Sequence, residues 1–374
     1  MDALSHLSRE GVSAVGFLKS DITRDSCTLT EKYSESGYDR WWHSFTGKSR
    51  ETGRERSFFI EFYLCKSPAS SYLMVRAGAW GEGASQLCRF FPWRDVAVNR
   101  KAPFALAAED CYLSETAAKG RILVTEETAA AHPEYMCQAG KMSWKLKIRK
   151  KLPFNTGYGA GKLLRALHAL EMYWHAEGLE TEYSGIVRWN GEEYDVIPEK
   201  SCGYADKKWG SAFVSPWVQM SSGHLTGRFT GHPLKNSVFA IGGGRPKIFG
   251  IPMNQRLSGA FCHEGQEYEF NFFKLWDLVR TRFDCRETKD EIIWRVRQES
   301  RTALMHAEIR CRKKEMLLLN YRAPDGSKRR YGIWSGGTGT GRIRLYKKEG
   351  IYRTLVDDVY VKNARCEYGE YCDD

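Results

Sequence analysis

The sequence predicts an all-β protein with two antiparallel β-barrel or sandwich domains joined by one amphipathic helix. Three observations carry this prediction. Aromatic-rich runs, many of them alternating, recur along most of the chain; Gly, Asn and Asp turn residues separate them; and a single segment shows helical spacing instead. No repeat of fixed period is visible, which argues against a propeller.

Residues 1–156 are predicted to form the N-terminal β-domain. The aromatic runs GYDRWWHSF (37–45) and ERSFFIEFYL (55–64) are separated by the polar segment KSRETGR, which fits a hairpin loop. Pro92 limits the strand in CRFFPWRDVAVN (88–99), because proline has no amide proton to give to a neighbouring strand. This half of the chain therefore reads as consecutive antiparallel strands.

Residues 157–180 are predicted to form the connecting helix. In GAGKLLRALHALEMYWHAEGLE (159–180), leucines and a tryptophan recur at helical spacing, and Gly178 is a natural stop. The preceding GYGAGK does not complete a phosphate-binding loop, because Thr156 stands where the first Gly of that pattern is required.

Residues 181–374 return to strand patterns and are predicted to form the C-terminal β-domain. WNGEEY (189–194) carries an Asn-Gly pair, which is the commonest signal of a two-residue hairpin turn. The Gly clusters at 241–250 and 334–341 lack the strand–GxGxxG–helix context of a dinucleotide site. We therefore expect no bound cofactor.

The charge and hydropathy of the chain restrict the classes of partner that we expect. The chain has a formal charge of +11, but its Lys and Arg residues are spread along the sequence. The densest cluster, KLKIRKK (145–151), alternates with apolar residues, which predicts a strand with one solvated face rather than a nucleic-acid site. No apolar run is long enough to span a membrane, although peripheral membrane contact stays open. The oligomeric state is also left open.

The cysteines favour a reducing compartment. There are eleven, with no CxxC pair, and the chain opens on the polar MDALSHLSREG rather than on a secretory signal. We therefore expect a cytoplasmic protein whose cysteines are mostly buried. The adjacent Cys262, His263 and Glu264 would point to opposite faces of a strand, so we expect no metal site.

The stretch GYADKKWGSAFVSPWVQM (203–220) contains the candidate catalytic residues. On a strand, Tyr204, Asp206 and Lys208 share one face, while Lys207 and Trp209 share the other. If the first face lines an aromatic pocket, desolvation would raise the pKa of Asp206 and leave a neutral carboxylic acid beside a phenol. The alternative is a structural carboxylate that caps a turn or pairs with a lysine.

The same stretch resembles the signature of the tocopherol cyclase and carotenoid 1,2-hydratase superfamily, which includes AttH-like proteins and Diels–Alderase-type pericyclases. The opening run GYDRWWHSF also resembles the aromatic first strand of the tocopherol cyclases, through Gly37, Trp41 and Trp42. The residues of the second stretch that match the superfamily pattern are Gly203, Asp206, Lys207, Trp209, Gly210, Phe213, Pro216 and Trp217.

The resemblance implies two lipocalin-like β-domains with a largely apolar cavity and cofactor-free chemistry on polyene, prenyl or polyketide substrates. It also implies that Asp206 is the proton donor and Tyr204 its partner. Two departures are visible: Lys208 replaces the Asn of the pattern, and the preceding YSGIVRW has Tyr183 and Trp189 but not the His-x-Trp pair of the hydratases.

We therefore predict a cofactor-independent cyclase or isomerase that closes a ring on a hydrophobic alkene-containing substrate, closest to the tocopherol cyclase-like proteins. Glu182, Tyr183 and His224 are candidate second polar groups. The alternatives are an alkene hydratase, a lipocalin-like carrier without catalysis and, least favoured, a basic nucleic-acid-binding protein. The predicted substrate-binding residues are Trp41, Trp42, Phe62, Tyr183, Lys208, Trp209 and Trp217.

Overall fold

The computed structural model describes residues 25–29, 36–68, 70–99, 103–154, 167–272, 278–324 and 329–372, and these ranges are almost entirely β. The only α-helix among them is the short α1 (Glu126–Ala131), whose N-terminus is capped by the Thr125 side chain. Single 3-10 turns lie at Trp93–Asp95, Pro133–Tyr135, Pro198–Lys200 and Lys313–Glu315. The predicted all-β class is confirmed.

The first sheet collects the twelve described strands up to Gly210, all antiparallel to their neighbours. It curls until β4 lies alongside β8, where the Arg89 guanidinium donates to the carbonyl of Arg121. The strands are β1 (Gly37–Ser49), β2 (Glu55–Lys66), β3 (Ser71–Ala79), β4 (Ser85–Pro92), β5 (Ala97–Asn99), β6 (Ala105–Ala108), β7 (Cys111–Ser114), β8 (Ala117–Val124), β9 (Gly140–Phe154), β10 (Met172–Trp189), β11 (Glu192–Val196) and β12 (Gly203–Gly210).

The second sheet contains eleven described strands and is also antiparallel. The short pair β16 (Lys247–Ile248) and β17 (Ile251–Pro252) lies outside it. The strands of the second sheet are β13 (Trp217–Ser222), β14 (His224–Gly227), β15 (Val238–Gly244), β18 (Arg256–His263), β19 (Gln266–Phe270), β20 (Arg280–Glu287), β21 (Glu291–Glu299), β22 (Ala303–Arg312), β23 (Leu317–Arg322), β24 (Arg330–Glu349) and β25 (Tyr352–Cys372).

Three hydrophobic cores follow from this arrangement. One fills the inside of the first sheet around Trp41, Phe62 and Ile148, and another fills the inside of the second sheet around Phe261 and Trp294. A third, built from both sheets, lies between them and contains Trp42, Trp174 and Trp217. Two curved antiparallel sheets of this kind fit the lipocalin-like class that the sequence resemblance implies.

The predicted connecting helix is wrong over its described C-terminal part. Residues from Met172 onward form β10, and residues 155–166 lie outside the described residues. Tyr173 packs inside the first sheet and Trp174 between the sheets, so both faces of the strand are buried. The leucines whose spacing predicts a helix all precede Met172, and only Trp174 of that pattern lies in β10.

The division between the sheets also differs from the predicted domain bounds. The sequence predicts a C-terminal domain that begins at residue 181, but β10, β11 and β12 all pair within the first sheet. The sheets divide between Gly210 and Trp217 instead. The signature stretch 203–220 therefore runs from the last strand of one sheet into the first strand of the other.

The predicted Asn-Gly hairpin is confirmed. Asn190 and Gly191 connect β10 to β11 with φ values of +49° and +99°, as a type I′ turn requires. The predicted loop between β1 and β2 is confirmed as well, since it occupies residues 50–54.

We predict that Gly191→Ala lowers the free energy of unfolding by about 1 kcal/mol, because a side chain at positive φ is strained. No atom outside the turn lies within 4 Å of the added Cβ, so strain alone is tested. Chemical denaturation measures the change, with Glu51→Ala in the exposed β1–β2 loop as the control. Equal stabilities of the Gly191 and Glu51 variants would contradict this account of the turn.

Candidate functional site

The candidate site begins with the alternation of β12, which divides its side chains as the sequence predicts. Tyr204 lies in the core between the sheets, and the Lys208 ammonium is 2.8 Å from Glu367 Oε2 on the second sheet. Lys207 and Trp209 point into the first sheet, where the Lys207 ammonium is 2.8 Å from Asp39. The shared face of Tyr204, Asp206 and Lys208 is therefore confirmed.

Asp206 accepts hydrogen bonds from both sheets through a single oxygen. From the first sheet, Oδ2 accepts from the Tyr204 hydroxyl at 2.9 Å and the Trp174 indole at 3.1 Å. From the second sheet, it accepts from the Gln219 amide at 2.8 Å and the Arg365 guanidinium at 2.9 Å. The other oxygen, Oδ1, has no hydrogen-bond partner within the described ranges.

The Tyr204 hydroxyl is held equally firmly. It donates to Asp206 and accepts from the Gln219 amide at 2.7 Å. The Arg365 guanidinium lies over the Tyr204 ring, 4.8 Å from its centre. Its Nε–H has no hydrogen-bond partner among the described residues, and the side chain is only 4% exposed. A buried donor of this kind carries a desolvation cost that a ligand oxygen would relieve.

These groups belong to a larger set that we call the charge layer, which occupies the space between the two sheets. Glu367 pairs with Arg365 on its own strand at 2.7 Å, and it bridges the sheets through Lys208 of the first sheet at 2.8 Å. The layer contains four cations and three carboxylates, all buried. Its members are Arg40, Glu61, Arg76, Asp206, Lys208, Arg365 and Glu367.

Strand register explains how the layer extends across the first sheet. Asp206 lies opposite Trp42, Trp42 opposite Glu61, and Glu61 opposite Arg76. Directly opposed residues on antiparallel strands share a face, so the charges form one band. Glu61 binds the Arg40 Nε at 2.5 Å and lies 3.2 Å from Arg76.

The predicted rise in the pKa of Asp206 is wrong. Burial alone raises this pKa, but the charges of Arg365, Lys208 and Arg40 outweigh burial and lower it below its usual value. Asp206 is therefore an ionised carboxylate at neutral pH and has no proton to donate. In contrast, burial beside Asp206 raises the pKa of Tyr204 well above its usual value, so this phenol stays neutral.

The pKa of Lys208 is lower than that of an ordinary surface lysine. Burial, together with the nearby Arg40 and Arg365 cations, lowers its pKa to about 8 although Glu367 and Asp206 favour the charged form. The Lys208 ammonium also lies over the Trp217 ring, 4.4 Å from its centre. The residue that replaces the Asn of the superfamily pattern is therefore a member of the charge layer.

A cavity of about 620 Å³ opens between the sheets beside these groups. Tyr204 and Arg365 both contribute to its wall, which joins the outer faces of the two sheets. Its apolar lining includes Phe45, Trp80 and Leu179, whereas serine and threonine residues and a charged rim supply the polar part. The lining is thus mixed, which differs from the largely apolar cavity that the resemblance implies.

None of the seven predicted substrate-binding residues lines this cavity. Trp41, Phe62, Tyr183 and Trp209 belong to the core inside the first sheet, on the opposite face from the cavity. Residues 25–29 pack into that interior: the Trp41 indole donates to the carbonyl of Asp25 at 2.8 Å. Alternation along β1, β2, β10 and β12 places these side chains inside the sheet rather than between the sheets.

The other three, Trp42, Lys208 and Trp217, lie between the sheets within or against the charge layer rather than in the cavity wall. Two of the candidate second polar groups, Glu182 and His224, lie at or near the cavity. Glu182 lines the cavity, where it lies 3.2 Å from Arg149. His224 is 3.0 Å from the Asn363 amide, a residue of the cavity wall, and burial lowers its pKa.

Arg365, Glu367 and Gln219 are the residues that sequence reasoning missed. Arg365 and Glu367 stand two apart on β25, and Gln219 stands two after Trp217 on β13, so each pair shares a strand face. Charged residues within a strand whose neighbours are apolar on both sides were the available signal.

Three solved structures are similar in shape to the chain. CghA bound to Sch210972 gives a TM-score of 0.47 at 10% identity, over 90% of this chain and 89% of that one. Kievitone hydratase from Nectria haematococca gives 0.45 at 10% identity, over 89% and 88%. A protein assigned to AttH from Nitrosomonas europaea gives 0.43 at 12% identity, over 91% and 93%. No family profile and no curated protein matches the chain.

We predict that Glu367→Gln lowers the free energy of unfolding at pH 7 by about 3–5 kcal/mol, because removing one partner leaves buried Lys208 and Arg365 uncompensated. The control is Glu308→Gln, which breaks an ion pair with Arg295 on the exposed face of the second sheet. That change should cost less than about 1 kcal/mol.

The pH dependence gives a second readout of the same change. Burial raises the pKa of Glu367, but Arg365, Lys208 and Arg40 lower it well below its usual value of 4.5. Its stabilisation is therefore present above pH 4.5 and is lost as the pH falls through the lowered pKa. The difference between wild type and Glu367→Gln should shrink on acidification. A difference that is small at pH 7 would contradict the charge layer.

Proposed function

We propose that the protein is a cofactor-independent cyclase or isomerase that closes a ring on a hydrophobic, unsaturated substrate in the cavity between the sheets. The observation that carries the proposal is that Tyr204 and Arg365 contact each other in the cavity wall. The Tyr204 phenol is neutral and donates a hydrogen bond to the ionised Asp206 carboxylate. The Nε–H of the Arg365 cation has no hydrogen-bond partner among the described residues. The resemblance to the tocopherol cyclase-like proteins supports the same reaction class.

The charge states reverse the order of proton transfer that the sequence predicts. Asp206 starts as a proton acceptor, because its carboxylate is ionised. A substrate hydroxyl would give its proton to Tyr204 Oη as the tyrosine proton passes to Asp206 Oδ2, over the 2.9 Å that joins the two oxygens. The freed substrate oxygen is then the nucleophile for ring closure.

Arg365 would act on the other end of the substrate. Its Nε–H can donate to a carbonyl conjugated with the alkene, and the cation stabilises the negative charge that develops there. When the carbon–oxygen bond of the ring has formed, Asp206 returns the proton through Tyr204 to the alkene carbon. One O–H bond and the π bond of the alkene are broken, one C–O and one C–H bond are formed, and the mass does not change.

The charge layer suits this sequence of steps. Its four cations exceed its three carboxylates, so the layer favours an anionic intermediate in the cavity. The chain would supply a fixed polar environment and hold the substrate in the reactive conformer, which together account for much of the acceleration in reactions without a cofactor. Lys208 has a positioning role here, because it holds Glu367 and through it Arg365.

The cellular location is also a proposal. All eleven cysteines are free, which supports a reducing, cytoplasmic setting. No helix within the described ranges is both long and apolar enough to cross a membrane.

We predict that the purified protein, without added cofactor, converts a hydroxyl-bearing unsaturated substrate into a product of unchanged mass. The panel contains prenylated hydroquinones, chalcone-like phenols and polyenes, and mass spectrometry with chiral chromatography identifies the products. Tyr204→Phe and Asp206→Asn should each lower kcat/KM by about 100-fold or more, because either change breaks the proton relay.

The matched control is Tyr331→Phe, which removes a buried hydroxyl between the sheets that donates to the carbonyl of Val214 and takes no part in the cavity wall. It should keep the wild-type rate. A ligand that binds and returns unaltered from every variant would identify a carrier, and a product that gains one water would identify a hydratase. Either result would overturn the proposal.

A further inference from the structure

The outer face of the second sheet carries a line of basic side chains. Ladder register places one side chain from each of four adjacent strands, β20, β21, β22 and β24, directly opposite the next. Strands lie about 4.8 Å apart, so the line spans roughly 14 Å. We call these residues the basic row: Arg282, Arg297, His306 and Arg344.

The neighbouring row on the same face shows how unusual this is. There Arg295 lies opposite both Asp284 and Glu308, and Arg342 lies opposite Glu308. The Arg295 guanidinium is 2.9 Å from Glu308, and Arg342 forms a bidentate pair with Asp358. Cations and carboxylates alternate in this row. In the basic row, the one described carboxylate opposite a member is Asp358, which lies across from Arg344 but is bound by Arg342 instead.

Like charges directly opposite one another destabilise a sheet, so the opposed Arg282 and Arg297 cost stability unless an anion lies across them. Arg282 and Arg344 are exposed and form no ion pair with any described residue. Among the described residues, Arg297 pairs only with Glu299 on its own strand, at 2.8 Å. Burial and the adjacent Arg297 and Arg344 lower the pKa of His306, which is consistent with an excess of positive charge at this place.

Exposed apolar residues continue the same face beyond the basic row. Leu355 lies opposite Tyr346, two residues after Arg344, and is 40% exposed. The β24–β25 hairpin then ends at Ile351 and Tyr352, which are 89% and 74% exposed. Its flanks carry three further cations, which share two carboxylates: Lys347 pairs with Glu349, and both Lys348 and Arg353 pair with Glu299. A basic surface that ends in an aliphatic and aromatic tip matches the interface of a bilayer.

We propose that this face docks on an anionic membrane surface, with the basic row against the phospholipid headgroups and the Ile351–Tyr352 tip inserted among them. Headgroup phosphates supply the anions that the row lacks. The tip favours a membrane over a nucleic acid, because an aliphatic side chain such as Ile351 gains free energy in the acyl boundary and neither stacks on a base nor binds a phosphate. The docking is independent of whether the protein is an enzyme.

The test uses flotation of the full-length protein with phosphatidylcholine vesicles and with vesicles that also contain phosphatidylserine. Wild type should bind only the second kind. Arg282→Gln combined with Arg344→Gln should lower the affinity by about thirtyfold, since one arginine near an anionic surface contributes about fivefold. Ile351→Ser with Tyr352→Ser should weaken binding while leaving its dependence on salt unchanged, because that change removes apolar area and no charge.

The matched control removes the same net charge from the solvated face of β9, through Lys145→Gln with Lys147→Gln, both exposed. This control should keep the wild-type affinity. The Arg282 and Arg344 variant should unfold at the wild-type free energy or higher, because repulsion is relieved, so loss of binding cannot come from misfolding. Absence of binding by wild type, equal loss in the control, or tighter binding to single-stranded RNA than to vesicles would each overturn the proposal.

Discussion

The burial of seven charged side chains between two β-sheets is the constraint on which the rest of the structure depends. A buried charge is costly unless partners compensate it, and here the partners come from both sheets. Asp206 on the first sheet binds Arg365 on the second, while Glu367 on the second binds Lys208 on the first. A shift of one sheet relative to the other would separate these pairs, so the charges specify one way of docking.

That docking also determines what faces the cavity. Tyr204 comes from β12 and Arg365 from β25, and they meet only because the charge layer holds the strands in register. The same layer fixes their charge states, since its cations keep Asp206 ionised while burial keeps Tyr204 neutral. The proposed chemistry is thus a consequence of how the two sheets are held together.

Local patterns in the sequence predicted local structure well. Alternation predicted the shared face of Tyr204, Asp206 and Lys208, and the Asn-Gly pair predicted the turn at residues 190–191. Prediction from the sequence failed where a property depends on residues that are distant along the chain. The cation that most lowers the pKa of Asp206 is Arg365, 159 positions away. The residues from Met172 onward form a strand because they pair with β9 and β12, and local spacing contains no information on these partners.

The most direct test of this account is the ionisation state of Asp206. Infrared spectra of protein labelled with carbon-13 at the aspartate carboxyl groups, compared between wild type and Asp206→Asn at neutral pH, would isolate its signal. We predict that the variant loses a band of the ionised carboxylate. Loss of the carbonyl band of a neutral acid would contradict both the charge layer and the direction of proton transfer that we derive from it.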